Sequence, residues 1–172
     1  ADFLFREGNS YNLIRFSTAF TYDTRNSAIF PERGTLQRIR GEITVPGADL
    51  TYYKVNYESR LFVPLAKKYI LMMRGEIGYG GGYGSTGQLP FFENFYAGGP
   101  RTVRGYQENS LGPQDFFRRA LGGNVQVIGG AEIIIPVPFL AELKSVRLST
   151  FLDAGNVWSV DDDIEFREVR MA

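Results

Sequence analysis

The 172-residue sequence contains neither cysteine nor histidine. Without cysteine, the chain cannot form disulfide bonds or thiolate metal sites. Without histidine, it lacks the most common general base and metal ligand, and a Ser-His-Asp triad cannot form. Catalysis through lysine or carboxylate groups stays open, but no motif indicates it, and we predict a protein that is not an enzyme and that carries no cofactor or metal.

The sequence also lacks an excess of charge and any long apolar run. Its 19 lysines and arginines balance 19 aspartates and glutamates, so nucleic acid is not a predicted partner. No apolar run approaches the roughly 18 residues that a transmembrane helix needs. This absence does not indicate a soluble protein, because transmembrane β-strands alternate polar and apolar residues and escape hydropathy scans.

The sequence does contain regular alternation. Six segments place apolar residues at every second position, as expected for β-strands. In the clearest of them, Tyr53 and Val55 lie on one face, whereas Lys54 and Asn56 lie on the other. The predicted strands are 12–22, 35–45, 52–64, 69–79, 123–135 and 145–158, and residues 169–172 resemble the start of another.

The length and polarity of these strands indicate a membrane-spanning barrel. At about 11–14 residues they exceed the usual globular strand of about 5–6 residues and match the roughly 9–11 tilted residues of a transmembrane strand better. One face carries charges of both signs and the other is apolar, which is typical of a water-filled barrel in lipid. A soluble sandwich would reverse this pattern. The inward charges, some of them candidates for holding a loop in place, are Arg15, Arg38, Arg40, Glu42, Lys54, Glu58, Arg60, Arg74 and Glu76.

Six strands are too few to close a barrel, since the smallest barrels have about eight. The connections differ in length: residues 65–68 form a short turn, whereas residues 80–122 form a long loop. Short periplasmic turns and long extracellular loops are usual in outer-membrane barrels. We predict that residues 1–172 form one all-β domain, a partial antiparallel transmembrane β-barrel with a long extracellular loop.

The long loop contains the most informative segment, residues 89–113. Glycine and proline interrupt it, and it shows no sustained strand or helix period. Its aromatic residues need to bury surface, which argues against disorder. At its tip, Val103-Arg104-Gly105-Tyr106, the glycine permits a close approach of the backbone. We therefore expect the loop to pack back into its own protein.

Three runs of this loop, residues 93–99, 103–106 and 111–113, resemble the sixth extracellular loop of the BamA family of outer-membrane barrel-assembly proteins. The resemblance implies a barrel of roughly sixteen strands in the outer membrane of Gram-negative bacteria, of which this chain supplies about six. It also implies that the loop folds into the lumen. The implied partners are the lipid bilayer, unfolded outer-membrane proteins and the accessory lipoproteins of the assembly machine.

Arg104 is the strongest candidate for a functional residue. A guanidinium folded into the lumen needs carboxylate partners, because a desolvated, unpaired charge is costly. The alternation places Glu132 and Asp153 on the inward faces of the next two strands, and the family resemblance implies the same pairing. The alternative is that Arg104 is a solvated loop charge.

The resemblance favours part of an insertase that folds and inserts outer-membrane proteins, with Arg104 supporting the barrel rather than touching the substrate. The alternative within the same superfamily is a two-partner-secretion-type polypeptide transport pore, which uses a loop of this type. Two other classes fit less well. They are an outer-membrane lipase barrel, which the missing histidine disfavours, and a soluble β-domain that binds a ligand.

Two short motifs carry little weight. Residues 82–87 match G-x-G-x-x-G after a strand, but Pro90 interrupts the helix that a dinucleotide site requires. Asp161, Asp162, Asp163 and Glu165 could bind a divalent cation, but they lack the ligand spacing of a calcium loop. Neither motif is predicted to form a site.

Overall fold

A computed structural model describes residues 11–65, 69–135, 147–159 and 169–172. Within these ranges the chain forms seven β-strands and a short 3-10 helix at Phe91–Glu93. No helix in the described ranges is long and apolar enough to cross a membrane. The strands are β1 Arg15–Asp23, β2 Gly34–Thr44, β3 Tyr52–Pro64, β4 Ile70–Gly82, β5 Val125–Ile135, β6 Leu148–Trp158 and β7 Arg170–Met171.

All seven strands belong to one sheet, and their order in the sheet is their order in the sequence. Every neighbouring pair is antiparallel. Such a meander follows from consecutive strands pairing with one another. The predicted all-β antiparallel fold, a partial barrel that the seven strands leave open, is confirmed.

The register between strands keeps the two faces of the sheet distinct. Glu42 of β2 lies opposite Ser17 of β1 and Lys54 of β3, so charged and polar positions align across the strands. On the other face, Phe16 and Ile77 are 67% and 54% exposed. Because a slip of one residue would move every side chain to the opposite face, this register fixes an apolar outer face and a polar inner face.

Only β3 matches its predicted bounds at both ends, and the ends of the other strands differ from the predicted ones by at most three residues. β4 continues to Gly82 rather than ending at residue 79, because residues 80–82 stay paired with the first residues of β3. β1 begins at Arg15 rather than at residue 12. Residues 170–171 form a seventh strand paired with β6, where the sequence showed only a possible beginning. Glycine has little β-propensity of its own, so the extension of β4 depends on its partner strand.

Several predictions fall outside the described residues. They concern residues 66–68 of the predicted turn, the break predicted at residues 136–139 after the fifth strand, the first two residues of the predicted sixth strand, and the acidic residues Asp161, Asp162, Asp163 and Glu165.

The main buried cluster lies between the long loop and the inner face of the sheet. Loop residues Ala97, Val103 and Leu111 pack there against Ile128 of β5 and Val157 of β6. Val103 and Val157 are fully buried, and burying one such side chain stabilises a fold by about 1.5–3 kcal/mol. This cluster therefore holds the loop against the inner face of the sheet, which is called the wall below. The predicted folding of the loop into the lumen is confirmed.

Candidate functional site

The long loop leaves β4 after Gly82 and returns to β5 at Val125. Three isolated antiparallel bridges within residues 95–123 order it. Gln126 of β5 also donates a hydrogen bond to the carbonyl oxygen of Tyr96, at 3.0 Å. The loop is thus tied both to itself and to the sheet, which gives its tip a defined position.

Gly112 permits the closest approach between the loop and the wall. Its φ of +95° lies in the region that favours glycine. A Cβ atom at this position would overlap Cγ2 of Val157 and lie 2.9 Å from the Val157 carbonyl oxygen. The loop can therefore lie flat on β6 only where residue 112 has no side chain.

We expect Gly112→Ala to weaken the attachment of the loop, because both the backbone angle and Val157 oppose a Cβ atom. The strained φ alone costs about 1–3 kcal/mol, and the urea midpoint of unfolding in detergent micelles would show the loss. Gly87→Ala is the matched control, since a Cβ atom at Gly87 meets nothing within 4 Å. Equal midpoints for the two variants would contradict the close packing described here.

The tip of the loop places the Arg104 guanidinium between two carboxylates. Nε donates a hydrogen bond to Asp153 Oδ2 at 2.6 Å and Nη2 donates to Oδ1 at 3.1 Å, a bidentate pairing. Nη1 donates to Glu132 Oε2 at 2.7 Å. The Arg104 backbone N–H donates a further bond to Asp153, at 3.2 Å. The structure thus brings together the three residues that the sequence singled out.

The burial of these groups makes the contact strong. The Asp153 side chain is fully buried, while those of Glu132 and Arg104 are 16% and 23% exposed. The Arg104 Cζ atom also lies 3.7 Å from the centroid of the Phe151 ring, a cation–π contact. Hydrogen bonding to Asp153 is the main cause that raises the pKa of Arg104 above its ordinary value, so the guanidinium stays charged.

The register of the sheet explains why the two carboxylates meet one guanidinium. Glu132 of β5 pairs with Phe151 of β6, and Gly130 pairs with Asp153. A Cβ atom at Gly130 would overlap the Asp153 carboxylate. The absence of a side chain at residue 130 therefore leaves room for the buried carboxylate beside β5.

Arg74 of β4 is a second cation at this site. Its Nη2 lies 3.0 Å from Asp153 Oδ1. The same side chain donates hydrogen bonds to the loop carbonyl oxygens of Arg101, at 2.7 Å, and Thr102. The sequence placed Arg74 only in the general set of inward charges. Its alignment with Gly130 and Asp153 across three strands is the signal that could have identified it.

The remaining tip residues reach the last strand and the buried cluster. Val103 lies in the core, and Gly105 adopts a φ of +88° beside Ala172, where a Cβ atom would lie 3.0 Å from the Ala172 Cβ. The Tyr106 hydroxyl donates a hydrogen bond to the Met171 carbonyl oxygen at 3.1 Å. The tip therefore contacts β7 as well as β4, β5 and β6.

The geometry of the site is that of a clamp. Within the described ranges, no three acidic side chains converge on a position that could hold a metal ion. The G-x-G-x-x-G match at residues 82–87 contains a turn at residues 84–85 and is followed by the three-residue 3-10 helix Phe91–Glu93, not by the α-helix that a dinucleotide site requires. The Arg104 cluster joins the loop to the inner face of the sheet through charge and hydrogen bonding.

A sheet with an apolar outer face and a charged inner face covered by its own loop defines a segment of a transmembrane β-barrel with an inward-folded loop. Residues 2–169 match the Omp85 superfamily domain. The chain belongs to the Omp85 superfamily.

Individual relatives agree with this assignment. The chain is 44% identical over 137 residues to the outer membrane protein assembly factor BamA of Neisseria meningitidis serogroup B, covering 77% of this chain and 17% of that protein. It is 33% identical over 174 residues to the mouse sorting and assembly machinery component 50 homolog, covering 94% of this chain and 35% of that protein. The chain therefore spans about a third or less of the length of these relatives.

A solved structure shows the same fold. The crystal structure of BamA from Haemophilus ducreyi lacking POTRA domains 1–3 superposes with a TM-score of 0.80 at 29% sequence identity. The match covers 91% of this chain and 34% of that one. The described sheet and loop thus correspond to part of a BamA barrel.

Proposed function

We propose that this chain is part of an insertase that folds and inserts β-barrel proteins into the outer membrane of Gram-negative bacteria. Its membership of the Omp85 superfamily and its 44% identity to a protein named as an outer-membrane assembly factor support this function. The observation that carries the proposal is the clamp of Arg104 on Glu132 and Asp153, which fixes a long loop against the lumenal wall.

In this function Arg104, Glu132 and Asp153 support the barrel and do not act on a substrate. Val103 and Tyr106 add apolar contact, and Gly105 provides the turn that points the guanidinium at the wall. The insertase breaks no covalent bond, so the role is not enzymatic. Its partners are the lipid bilayer against the apolar outer face, unfolded outer-membrane proteins, and accessory lipoproteins of the assembly machine.

The function is tested with the full-length protein that contains this chain, reconstituted in liposomes. An unfolded outer-membrane barrel is added, and its folded form is followed as a heat-resistant band on a gel. We expect faster folding than in empty liposomes. Equal rates in the two kinds of liposome would contradict the insertase function.

A polypeptide transport pore is the second candidate. The observation that favours it is a charged stretch of inner wall on β2 and β3 that stays hydrated, with Arg40 and Arg60 side chains 52% and 49% exposed. These arginines pair with Glu58 at 4.0 and 2.7 Å. Single-channel conductance in planar bilayers, combined with no acceleration of barrel folding, would identify the pore rather than the insertase.

A further inference from the structure

A second charged contact joins the loop to the wall, on strands that the Arg104 clamp does not reach. Glu93 ends the 3-10 helix at the beginning of the loop. Its carboxylate lies 3.0 Å from Arg15 Nη1 of β1 and 3.2 Å from Lys54 Nζ of β3. The side chains of Glu93 and Lys54 are 17% and 22% exposed, whereas that of Arg15 is 46% exposed, so the carboxylate and the lysine are the better shielded part of this contact.

Residues of the sheet hold Arg15, one of the two cations that contact Glu93, in place. The Tyr52 hydroxyl donates to Glu42 Oε1 at 2.9 Å and accepts from Arg15 Nη1 at 3.2 Å. Tyr52 is fully buried, which fixes the hydroxyl. The same Arg15 nitrogen lies 3.4 Å from Glu42. These wall contacts therefore orient Arg15 toward Glu93.

Close packing on either side of Glu93 shows that the beginning of the loop fits this wall. The Phe95 ring lies against Gly78, where a Cβ atom would come within 2.7 Å of the ring, and Lys54 Nζ lies 4.9 Å from its centroid. Leu89 packs against Gly80, where a Cβ atom would lie 2.9 Å from it. Two glycines of β4 therefore form the surface on which this part of the loop rests.

We propose that Glu93 is a second positioning residue, which holds the stem of the loop, residues 88–97, on β1 and β3 independently of the tip. The charges are reversed between the two anchors: the stem offers an anion to wall cations, whereas the tip offers a cation to wall anions. This arrangement prevents the stem from settling on the acidic site and the tip on the basic one. The proposal goes beyond the insertase function, because it concerns the position of the loop and not the substrate.

Two buried residues allow the stem and the tip to be followed separately. Leu89 in the stem is 6% exposed and Val103 in the tip is fully buried. Because these 172 residues contain no cysteine, Leu89→Cys places one thiol in the stem and Val103→Cys places one in the tip. Each variant is made in the full-length protein, with any cysteine outside this chain replaced by serine, and is reconstituted in liposomes. The rate of modification by a water-soluble maleimide then measures how often each part leaves the wall.

We expect Glu93→Gln to raise the modification rate of the stem thiol about fivefold, the scale of a partly shielded ion-pair cluster, and to leave the rate of the tip thiol unchanged. Arg104→Ala should do the reverse. Glu93→Asp retains the charge and should restore most of the protection of the stem thiol. Lys54→Met removes one of the two cations and should give a smaller increase at the stem.

The matched control is Glu108→Gln, because Glu108 is an exposed acidic residue of the same loop that forms no salt bridge in the described part of the chain. An unchanged rate at the stem thiol in Glu93→Gln, or equal increases at the stem and tip thiols, would overturn the proposal. The labelling needs no substrate. A protein without insertase activity would therefore leave this test intact.

Discussion

Replacing Arg104 with alanine is expected to lower the free energy of unfolding of the barrel by about 3 kcal/mol, near the lower end for breaking a buried ion pair. The substitution leaves the fully buried Asp153 and the mostly buried Glu132 without the guanidinium that bridges them. The loss is not larger because Arg74 remains 3.0 Å from Asp153 and continues to offset its charge. Urea unfolding in detergent micelles, followed by tryptophan fluorescence, measures the change.

Two further variants define what Arg104 contributes. Arg104→Lys keeps the charge but cannot reach Asp153 in bidentate fashion and Glu132 at once, so most of the loss should remain. Arg101→Ala is the control, since Arg101 is an exposed arginine of the same loop that meets Arg74 through its backbone carbonyl oxygen, which alanine retains. Wild-type stability in Arg104→Ala, or equal losses in Arg104→Ala and Arg101→Ala, would contradict the clamp.

Asp153→Asn is expected to have the largest effect, about 3–5 kcal/mol. Asp153 is fully buried and is the carboxylate at which Arg104 and Arg74 meet. An amide of nearly the same size removes the negative charge and leaves the two guanidinium groups facing each other. Because Arg74 also holds the loop carbonyl oxygens, the substitution should weaken both cationic contacts of the tip.

Glu132→Gln is the comparison for Asp153→Asn, because Glu132 faces the same guanidinium through one hydrogen bond and is 16% exposed. We expect it to cost about 1 kcal/mol, the usual scale of a single hydrogen bond. The urea midpoints should therefore fall in the order wild type, Glu132→Gln, Asp153→Asn. A larger loss for Glu132→Gln would show that Asp153 is not the centre of the clamp.

The alternation of polar and apolar residues along each strand predicted much of the fold and part of the site. A period of two residues fixes the face on which a side chain lies once the strand is recognised. For this reason the sequence alone placed Glu132 and Asp153 on the inner face of the sheet. The register of β5 and β6 agrees with that placement. The bounds of β3, residues 52–64, were predicted without error for the same reason.

Apart from the pairing of Arg104, the individual contacts of the loop could not be predicted. The alternation makes Arg15, Lys54 and Arg74 candidates for holding a loop, but the loop has no period that would assign Glu93 or the carbonyl oxygens of the tip as their partners. The last residues of β4 were also missed, because glycine shows no alternation and is held in the sheet by pairing with β3. These features arise from the packing of distant segments rather than from local pattern.

The most direct test of the central claim compares Arg104→Ala with the wild type in the liposome folding assay, at equal amounts of folded full-length protein. If only molecules with an anchored loop are active, the rate falls with the fraction that remains anchored. We predict that Arg104→Ala folds the added barrel about tenfold more slowly than the wild type. A wild-type rate in this variant, with the tip thiol readily modified and the loop therefore released, would contradict the claim that the anchored loop supports assembly.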